Sequence, residues 1–279
     1  MGFPVGAART THEARVSSPW DPGRDLHVRG FANLRDVGGY RAGDDRITRW
    51  RTLLRADMPL DLDPSAVAPF VGLPARTVVD LRDDDEVTDA PSVFTHPRFE
   101  VVRRPIFDGS AASFVERRVT LTELYAHMVS TCGRTLALAV RAIADSDPDA
   151  AVLVHCSAGK DRTGIVVALA LSAVGARRAD VVTDYTLTEG RLSGPWLDRR
   201  LRELGAHHGA DLSGSAELVG GSPAAAISSA LDLVDAGWGS ATGYLLEHGL
   251  TACDLERLTT RLTEPVSSAR QSATGWLRP

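Results

Sequence analysis

The sequence predicts an α/β fold in which a mainly parallel central sheet is flanked by helices. The first observation is that two compact runs rich in Val and Leu, Thr77–Leu81 and Ala151–His155, are typical of buried strands. The second is that helical patterns alternate with the strand candidates, as they do in layered α/β proteins. The third is that the pattern after Thr163 is helical to the end of the chain, which predicts an added helical C-terminal part.

The N-terminal part of the chain shows short strands and few helix signals. Residues 1–24 are rich in Pro, Gly, Ser and Thr without a hydrophobic period, which predicts a loose leader. Asp63 followed by Pro64 predicts a helix start, because Asp caps helices and Pro suits the first helical position. The strand candidates of this half are His27–Gly30, Arg51–Arg55, Thr77–Leu81 and Glu100–Arg103.

Helices dominate the second half of the chain. Ser222-Pro223 and Thr251 are helix start signals, and Gly209–Gly221 is a polar, glycine-rich break that predicts a mobile connection. The predicted helices are Ser113–Ser130, Thr135–Asp145, Thr163–Val174, Ala179–Leu187, Pro195–Leu204, Pro223–Ala236, Gly239–His248 and Asp254–Leu262.

Composition narrows the class of protein. With 279 residues, of which 43% are hydrophobic and 24% charged, the chain is predicted to form one domain over residues 25–265 with a tail at 266–279. A net charge of −5 gives no sign of nucleic-acid binding. No segment is apolar enough to span a membrane, so no integral membrane association is expected. The N-terminus lacks a signal-peptide pattern, which predicts a cytoplasmic protein, or one secreted without a recognisable signal peptide.

The segment richest in chemistry joins the strand Ala151–His155 to the next helix. It reads Cys156-Ser157-Ala158-Gly159-Lys160-Asp161-Arg162-Thr163. The N–H groups of such a loop and the positive end of the following helix together form an anion cradle. Gly159 lets the backbone curl, and Arg162 offers a planar fork to two phosphate oxygens. A thiolate at Cys156, favoured by the helix N-terminus and nearby cations, can attack phosphorus in line.

Two residues are rare in this sequence. Lys160 is the only Lys, although Lys and Arg together number 31, and Asn33 is the only Asn. Lys160 lies in this loop, and Asn33 begins a second motif, Asn33–Tyr40. This coincidence favours a specific role for each of them.

The loop resembles that of a known enzyme family. Cys156 and Arg162 are separated by five residues, with His155 before and Thr163 after, as in cysteine-dependent phosphatases. The longer form Cys-x-x-Gly-Lys-Asp-Arg-Thr-Gly is similar to that of bacterial protein tyrosine phosphatases of the broad-specificity group. The resemblance extends over residues 27–264. It also includes the segments Asn33–Tyr40, Trp50–Asp57, Val79–Arg82 and Trp238–Leu245.

The resemblance implies a phosphomonoester hydrolase that needs no metal or cofactor. Cys156 would be the nucleophile that forms a phosphocysteine, and Arg162 would bind phosphate and stabilise the transition state. Thr163 would donate a hydrogen bond to the thiolate, and His155 would stiffen the loop. The remaining substrate-binding positions would be Ser157, Ala158, Gly159 and Lys160.

The general acid is open between two aspartates. Asp161 is preferred, because it lies in the loop and matches an aspartate of variable role in the family. Asp80 ends a buried strand at the edge where α/β sheets place their active sites, but it has the alternative role of fixing Arg82 or the loop. Lys160 is expected at the rim, where its charge would favour highly anionic substrates such as phosphoinositides beside phosphotyrosine.

Other residues receive structural interpretations. Asn33, Arg35 and Asp36 are interpreted as ties between the N-terminal block and the loop rather than as substrate contacts. The acidic run Asp83–Glu86 is interpreted as a solvated helix start. The stretch 111–131 and the helices after about residue 190 exceed what catalysis needs, and one of them is predicted to form a lid. The expected partner is a phosphorylated protein or a phosphoinositide; the choice between them and the oligomeric state stay open.

Three other functions fit the same loop less well. A nucleotide-binding P-loop needs Gly-x4-Gly-Lys-Ser/Thr, but Val154 stands five residues before Gly159 and Asp161 follows Lys160. A rhodanese-like sulfurtransferase does not explain the Lys-Asp-Arg-Thr-Gly run. A non-catalytic phosphate-binding module usually lacks the Cys or the Arg, and here both are present.

Overall fold

The computed structural model describes residues 23–59, 73–106, 119–208 and 216–268. The strands are β1 (Arg35–Asp36), β2 (Arg41–Ala42), β3 (Arg46–Thr48), β4 (Leu53–Ala56), β5 (Ala75–Asp80), β6 (Glu100–Arg103), β7 (Ala151–His155) and β8 (Thr263–Pro265). The helices are α1 (Asp84–Asp89), α2 (Leu121–Thr131), α3 (Gly133–Asp145), α4 (Asp161–Ala173), α5 (Arg178–Arg191), α6 (Pro195–His208), α7 (Ala216–Gly220), α8 (Ala224–Trp238), α9 (Ala241–Glu247) and α10 (Ala252–Leu262).

The central sheet has the strand order β1-β4-β7-β5-β6. Strands β4, β7, β5 and β6 are parallel, and β1 runs antiparallel to β4 at one edge. The carboxyl ends of the parallel strands therefore meet at one edge of the sheet, with β7 in the middle. This confirms the predicted mixed α/β class with a mainly parallel sheet flanked by helices.

The core lies on both faces of this sheet. Successive strand residues point to opposite faces, so Val152 and Val154 of β7 pack with the helices, whereas Ala151 and Leu153 pack on the other side. Helix α4 is buried along most of its length, from Arg162 to Leu171. Because α4 follows β7 directly, it carries the loop between them into the centre of the molecule.

Several boundaries agree with the sequence patterns. Strands β6 and β7 have the predicted bounds, and Thr251 caps α10 with its side chain as expected. Pro223 occupies the N-cap position of α8. Each of these signals is formed by neighbouring residues, so the local sequence is enough to predict where the strand or helix begins.

Three predictions of secondary structure are wrong. His27–Gly30 is not a strand: Gly30 has a φ of 95°, and Val28 accepts a turn hydrogen bond from the Phe31 N–H. The C-terminal part is not wholly helical, because β8 pairs with β3 and so joins the sheet β2-β3-β8. The glycine-rich break contains α7, which covers its last residues before Gly221.

Some predictions fall outside the described residues. These are the helix start at Asp63-Pro64, the leader up to residue 22, the segment 111–118 of the predicted lid, residues 209–215 of the predicted mobile connection and the tail from residue 269. The division into leader, domain and tail stays a prediction. Among the described helices, none is both long and apolar enough to cross a bilayer.

Candidate active site

The loop of Cys156 begins where the central strand β7 ends. Strands β4 and β5 flank β7, so the loop opens at the middle of the carboxyl edge of the sheet. The Cys156 side chain belongs to the core, and the residue is only 2% exposed. The loop closes at α4, whose first turn contains Asp161 and Arg162. The helix N-terminus therefore adds its partial positive charge to the loop.

The carbonyl groups of the loop are bound on its outer side. Asn33 Nδ2 donates to the carbonyl oxygens of Ala158 (3.0 Å) and Gly159 (3.1 Å). The Met58 N–H donates to the Ser157 carbonyl at 3.0 Å. In a trans peptide the N–H points opposite to the C=O. Three successive peptide N–H groups therefore face the inner side, which is the arrangement an anion cradle needs.

Gly159 is required by the backbone of the loop. Its φ is +64°, which residues with a side chain rarely adopt. A Cβ atom at this position would lie 2.2 Å from the Ala56 carbonyl oxygen and 2.6 Å from the Asp57 nitrogen. The loop packs directly on the end of β4, and no larger residue fits between them.

A buried charge cluster supports the loop from behind. Arg55 Nη2 donates to the Gly159 carbonyl at 2.8 Å, and Arg55 Nη1 pairs with Asp184 at 2.6 Å. Asp184, on α5, also lies 3.5 Å from Nε of Arg35. Burial opposes ionisation of Asp184, but the charges of Arg35 and Arg55 outweigh it and hold its pKa at about 2. One carboxylate thus neutralises part of the charge of two arginines.

Arg35 links this cluster to Asn33. Arg35 Nη1 donates to the Asn33 side-chain oxygen, and Nη2 donates to Thr188 Oγ1 at 3.0 Å. Asp57 accepts the Asn33 N–H at 2.8 Å, and burial raises the pKa of Asp57 to about 6. Asn33 is therefore held at its backbone N–H by Asp57 and at its side-chain oxygen by Arg35, while its side-chain nitrogen binds the loop, as predicted for a tie between the N-terminal block and the loop.

Asp36 does not tie to the loop in this way. Its carboxylate accepts the N–H groups of Gly38 (2.8 Å) and Arg51 (2.7 Å). Asp36 thus fixes the connection between β1 and β4, and the expected bond from Asp36 to the loop is wrong. The reason is geometric, because neighbouring residues of β1 point to opposite faces of the sheet.

Glu86 lies against the loop, although the sequence placed it in solvent. It forms hydrogen bonds to both terminal nitrogens of Arg162, one of them at 2.7 Å, and accepts from Ser157 Oγ at 2.5 Å. Its side chain is 15% exposed. The run does start a helix, with Asp83 as N-cap in a capping box that includes Glu86. The prediction of a helix start is therefore right, but Glu86 is directed at the loop rather than into solvent.

The Glu86–Arg162 pair is strongly ionised. Burial acts to raise the pKa of Glu86, but the hydrogen bonds and charge of Arg162 lower it to about 2. Burial acts to lower the pKa of Arg162, whereas Glu86 and the neighbouring Cys156 raise it above its ordinary value. The guanidinium thus lies in the field of both the carboxylate and the cysteine.

Asp161 is held at the mouth of the loop by Tyr125. The Tyr125 hydroxyl donates to Asp161 Oδ1 at 2.7 Å, and the hydroxyls of Tyr125 and Tyr185 are 2.6 Å apart. The Asp161 side chain is 24% exposed. A carboxyl group in this position is open to solvent yet fixed at one oxygen.

Lys160 does not lie at the rim, which corrects the sequence expectation. The residue is fully buried, and its Nζ donates to the Leu218 carbonyl of α7 at 2.5 Å and lies 3.4 Å from Asp161 Oδ1. A carbonyl and a carboxylate replace the water that an exposed ammonium group would bind. Lys160 therefore connects the loop to α7.

Asp80 is bound by Arg82 rather than directed at the loop. Arg82 Nε and Nη2 contact its two oxygens at 3.0 and 2.8 Å, and His155 Nε2 lies 3.8 Å away. Burial acts to raise the pKa of Asp80, but the positive charge around it lowers the pKa below its usual range. Burial lowers the pKa of His155, whose Nδ1 lies 3.2 Å from the Cys156 carbonyl oxygen.

Thr163 of α4 is fully buried. Its hydroxyl has no hydrogen-bond partner in the described part of the chain, so the expected bond from Thr163 to the Cys156 sulfur is not formed in this structure. The described residues also hold no group of three or more His, Cys, Asp or Glu side chains placed to bind a metal ion.

Sequence reasoning missed three residues of this site. They are Glu86, Tyr125 and Asp184. The acidic run after β5 was a usable signal for Glu86, since β5 ends at the same sheet edge as β7. Arginines inside buried strands signal a buried counter-charge such as Asp184. Tyr125 has no sequence signal, because only the packing of α2 against α4 brings it to Asp161.

The structure defines a class of protein: an α/β protein in which a loop at the carboxyl edge of a parallel sheet begins with a thiol, Cys156, and leads into a helix whose first turn carries an arginine, Arg162. A family model described as "Tyrosine phosphatase family" matches residues 26–264. The chain therefore belongs to the tyrosine phosphatase family and is a protein tyrosine phosphatase, as the motifs predicted.

Individual proteins are similar over most of the chain. The triple specificity protein phosphatase PtpB of Mycobacterium tuberculosis is 31% identical over 269 residues, which cover 91% of this chain and 95% of PtpB. A tyrosine-protein phosphatase of Nostoc commune is 30% identical, covering 72% of this chain and 70% of that protein. The solved structure of TpbA of P. aeruginosa is 20% identical and covers 65% of this chain and 95% of TpbA, with a TM-score of 0.32.

Proposed function

We propose that the protein hydrolyses phosphate monoesters through a phosphocysteine intermediate on Cys156. The observation that supports the proposal is that Asn33, Arg55 and Met58 bind successive carbonyl groups of the loop, which leaves the N–H groups of the same peptides on the opposite side, free to face a phosphoryl group. A phosphoryl group on that side meets backbone donors and the Arg162 guanidinium. These fixed donors stabilise the charge of the transition state without reorganisation.

The reaction has two steps. In the first, the Cys156 thiolate attacks phosphorus, the bond from phosphorus to the ester oxygen breaks, and the leaving oxygen takes a proton from Asp161. In the second, water attacks the phosphocysteine while Asp161 takes a proton back, and the thiolate leaves as inorganic phosphate forms. The chain's own groups thus supply the nucleophile, the acid and the base.

Asp161 is the proposed general acid. It lies at the mouth of the loop with part of its carboxyl exposed, so a leaving group can reach it. Asp80 is a poor acid in this arrangement, because Arg82 contacts both of its oxygens and favours the ionised form. We therefore assign Asp80 to orienting Arg82, the alternative that the sequence left open.

The proposed substrate range is broad and centres on phosphotyrosine. Support comes from the Cys-x-x-Gly-Lys-Asp-Arg-Thr-Gly motif and from the similarity to PtpB, which is named a triple specificity phosphatase. Phosphoserine, phosphothreonine and phosphoinositides extend this range in the proposal. The phosphoinositide part loses one of its supports, since Lys160 is buried rather than at the rim. A panel of phosphopeptides and phosphoinositides tests the range.

The mechanism is tested by the variant Cys156→Ser with p-nitrophenyl phosphate in a chelating buffer. We expect kcat to fall by at least about a thousandfold, as for other lost nucleophiles. Cys253→Ser is the matched control, because Cys253 is an exposed cysteine outside the site. Acid quenching of the wild type during turnover should trap one phosphoryl group on Cys156. Undiminished turnover in Cys156→Ser would reject the mechanism.

A further inference from the structure

We propose that Tyr125 is a positioning residue for the general acid, holding one oxygen of Asp161 so that the other faces the leaving group. The inference rests on the proposed function, because it gives Asp161 the role of proton donor. It adds a residue from a different helix, α2, to the apparatus of the loop.

The contacts divide the two oxygens of Asp161 into different roles. Tyr125, which is fully buried, donates its hydroxyl proton to Oδ1 at 2.7 Å, and Lys160 Nζ lies 3.4 Å from the same atom. The hydrogen bonds within the described ranges engage Asp161 through Oδ1 alone. Oδ2 is therefore the oxygen that carries a transferable proton.

The Tyr125 hydroxyl is itself oriented by Tyr185. A hydroxyl has one proton, and Tyr125 uses it for Asp161, so at 2.6 Å it must accept the proton of Tyr185. The two rings pack edge to face with centroids 5.9 Å apart. Burial raises the pKa of both tyrosines above the ordinary value, so both remain hydroxyl donors at neutral pH. The direction of the hydrogen bonds thus runs from Tyr185 through Tyr125 to Asp161.

This orientation matters because the carboxyl torsion of Asp is soft. Without an anchor, Asp161 populates a broad range of χ2 angles and only part of them aims a proton at the ester oxygen. General acid catalysis contributes about a hundredfold to ten-thousandfold and depends on that geometry. The gain should be largest for leaving groups that cannot depart without a proton.

The test is Tyr125→Phe, which removes only the hydroxyl, assayed with aryl phosphates of increasingly poor leaving groups. We expect kcat to fall about tenfold for the poorest leaving group and less than about twofold for the best, with KM changed less than about twofold. Combined with Asp161→Ala, the same substitution should add no further loss, because the two residues then act as one unit.

Two variants serve as controls. Tyr244→Phe removes another buried tyrosine hydroxyl, which donates to the Val129 carbonyl at 2.8 Å outside the site, and it should leave the leaving-group dependence unchanged. Tyr185→Phe removes only the partner of Tyr125 and should reproduce the same selective loss at about threefold. If Tyr125→Phe does not fold, Tyr185→Phe carries the test by itself.

The outcomes separate this inference from the proposed function. A loss in Tyr125→Phe that is equal for all leaving groups, or that persists in the Asp161→Ala background, would overturn the positioning role. If Asp161→Ala shows the leaving-group dependence and Tyr125→Phe does not, only the inference fails. If Asp161→Ala shows none, Asp161 is not the acid and the inference fails with that assignment, whereas hydrolysis through Cys156 is decided separately by Cys156→Ser.

Discussion

The two sides of the loop Cys156–Arg162, its back beside β4 and its mouth beside Asp161 and Glu86, are built from different interactions. At the back, Asn33 and Arg55 bind loop carbonyls and are themselves fully buried. At the mouth, Arg162 pairs with Glu86 and Asp161 accepts from Tyr125, and in each pair the carboxylate is partly exposed, 15% for Glu86 and 24% for Asp161. We infer from this difference that the buried partners at the back set the shape of the loop. We expect the partners at the mouth to change when an anion enters.

The two regions also differ in how they balance charge. At the back, Asp184 is shared by Arg35 and Arg55, so one negative charge faces two positive ones in a dry environment. At the mouth, Glu86 and Arg162 match one to one. A buried ion that loses its partner costs far more than an exposed one. The back should therefore control folding, and the mouth should control binding and turnover.

The largest expected effect comes from Gly159→Ala. The new Cβ would lie 2.2 Å from the Ala56 carbonyl oxygen, and the φ of +64° is strained for alanine. We expect loss of measurable activity together with a stability loss of about 3 kcal/mol or more. Activity on p-nitrophenyl phosphate and thermal unfolding check this.

Gly239→Ala separates backbone strain from the clash. Gly239 has a similar φ of +75°, but a Cβ there meets nothing within 4 Å. This control should lose about 1–2 kcal/mol of stability and keep its activity. If both variants behave alike, the close approach of the loop to β4 is not what shapes the cradle.

The second-largest effect is expected for Asp184→Asn, which changes only the charge cluster at the back of the loop. It leaves Arg35 and Arg55 without their buried counter-charge, and we expect the free energy of unfolding to fall by about 3–5 kcal/mol. The control is Asp235→Asn, which breaks an exposed pair with Arg178 and should cost less than about 1 kcal/mol. Equal costs in urea unfolding would contradict the distinction between buried and exposed charge.

The elements that the sequence predicted well are those whose signal is local. Ala151–His155 is apolar up to Val154 and lies between the break at Asp147-Pro148-Asp149 and the glycine-containing loop, so its bounds follow from the pattern. Strand β8 has only three residues and pairs with β3, more than 200 positions away, as Ile47 does with Glu264. No local pattern announces such a strand, because the pairing exists only after the core has formed.

The residues of the site also fall into those with a local signal in the sequence and those without one. Cys156, Gly159 and Arg162 were recognised because they are neighbours in one motif. Glu86 is 76 residues away from Arg162, and Tyr125 is 36 away from Asp161. These contacts depend on the strand order and on helix packing, which local patterns do not specify.

Lys160 was misplaced for a related reason. A lysine in a polar loop is normally exposed, and the rule was applied without knowing what packs beside the loop. Here α7 presents the Leu218 carbonyl, which accepts a hydrogen bond from the ammonium group. The exception became visible only with the tertiary structure.

The third prediction concerns the mouth and uses Glu86→Gln. The pKa of Glu86 is about 2, below its ordinary value of 4.5, so the ionised carboxylate stabilises the fold above pH 4.5. We expect the variant to be less stable at pH 7 by about 1–2 kcal/mol. This difference should shrink as the pH falls from 4.5 towards 2, because the wild type loses the same charge. Urea unfolding of both proteins across this range measures it, with Asp84→Asn, on the same helix and highly exposed, as the control.

Binding of inorganic phosphate tests whether Arg162 can exchange Glu86 for an anion. Arg162 has five N–H donors, and Glu86 engages the two terminal nitrogens, so phosphate can approach the Nε side of the guanidinium or replace the carboxylate. In Glu86→Gln the phosphate charge no longer faces a carboxylate, and it supplies the counter-ion that Arg162 has lost. Phosphate should therefore raise the melting temperature of the variant more than that of the wild type, with a Kd about three- to tenfold lower. Equal shifts in the two proteins would mean that Glu86 belongs to the fixed framework, like Asp184, and that the mouth is no more exchangeable than the back.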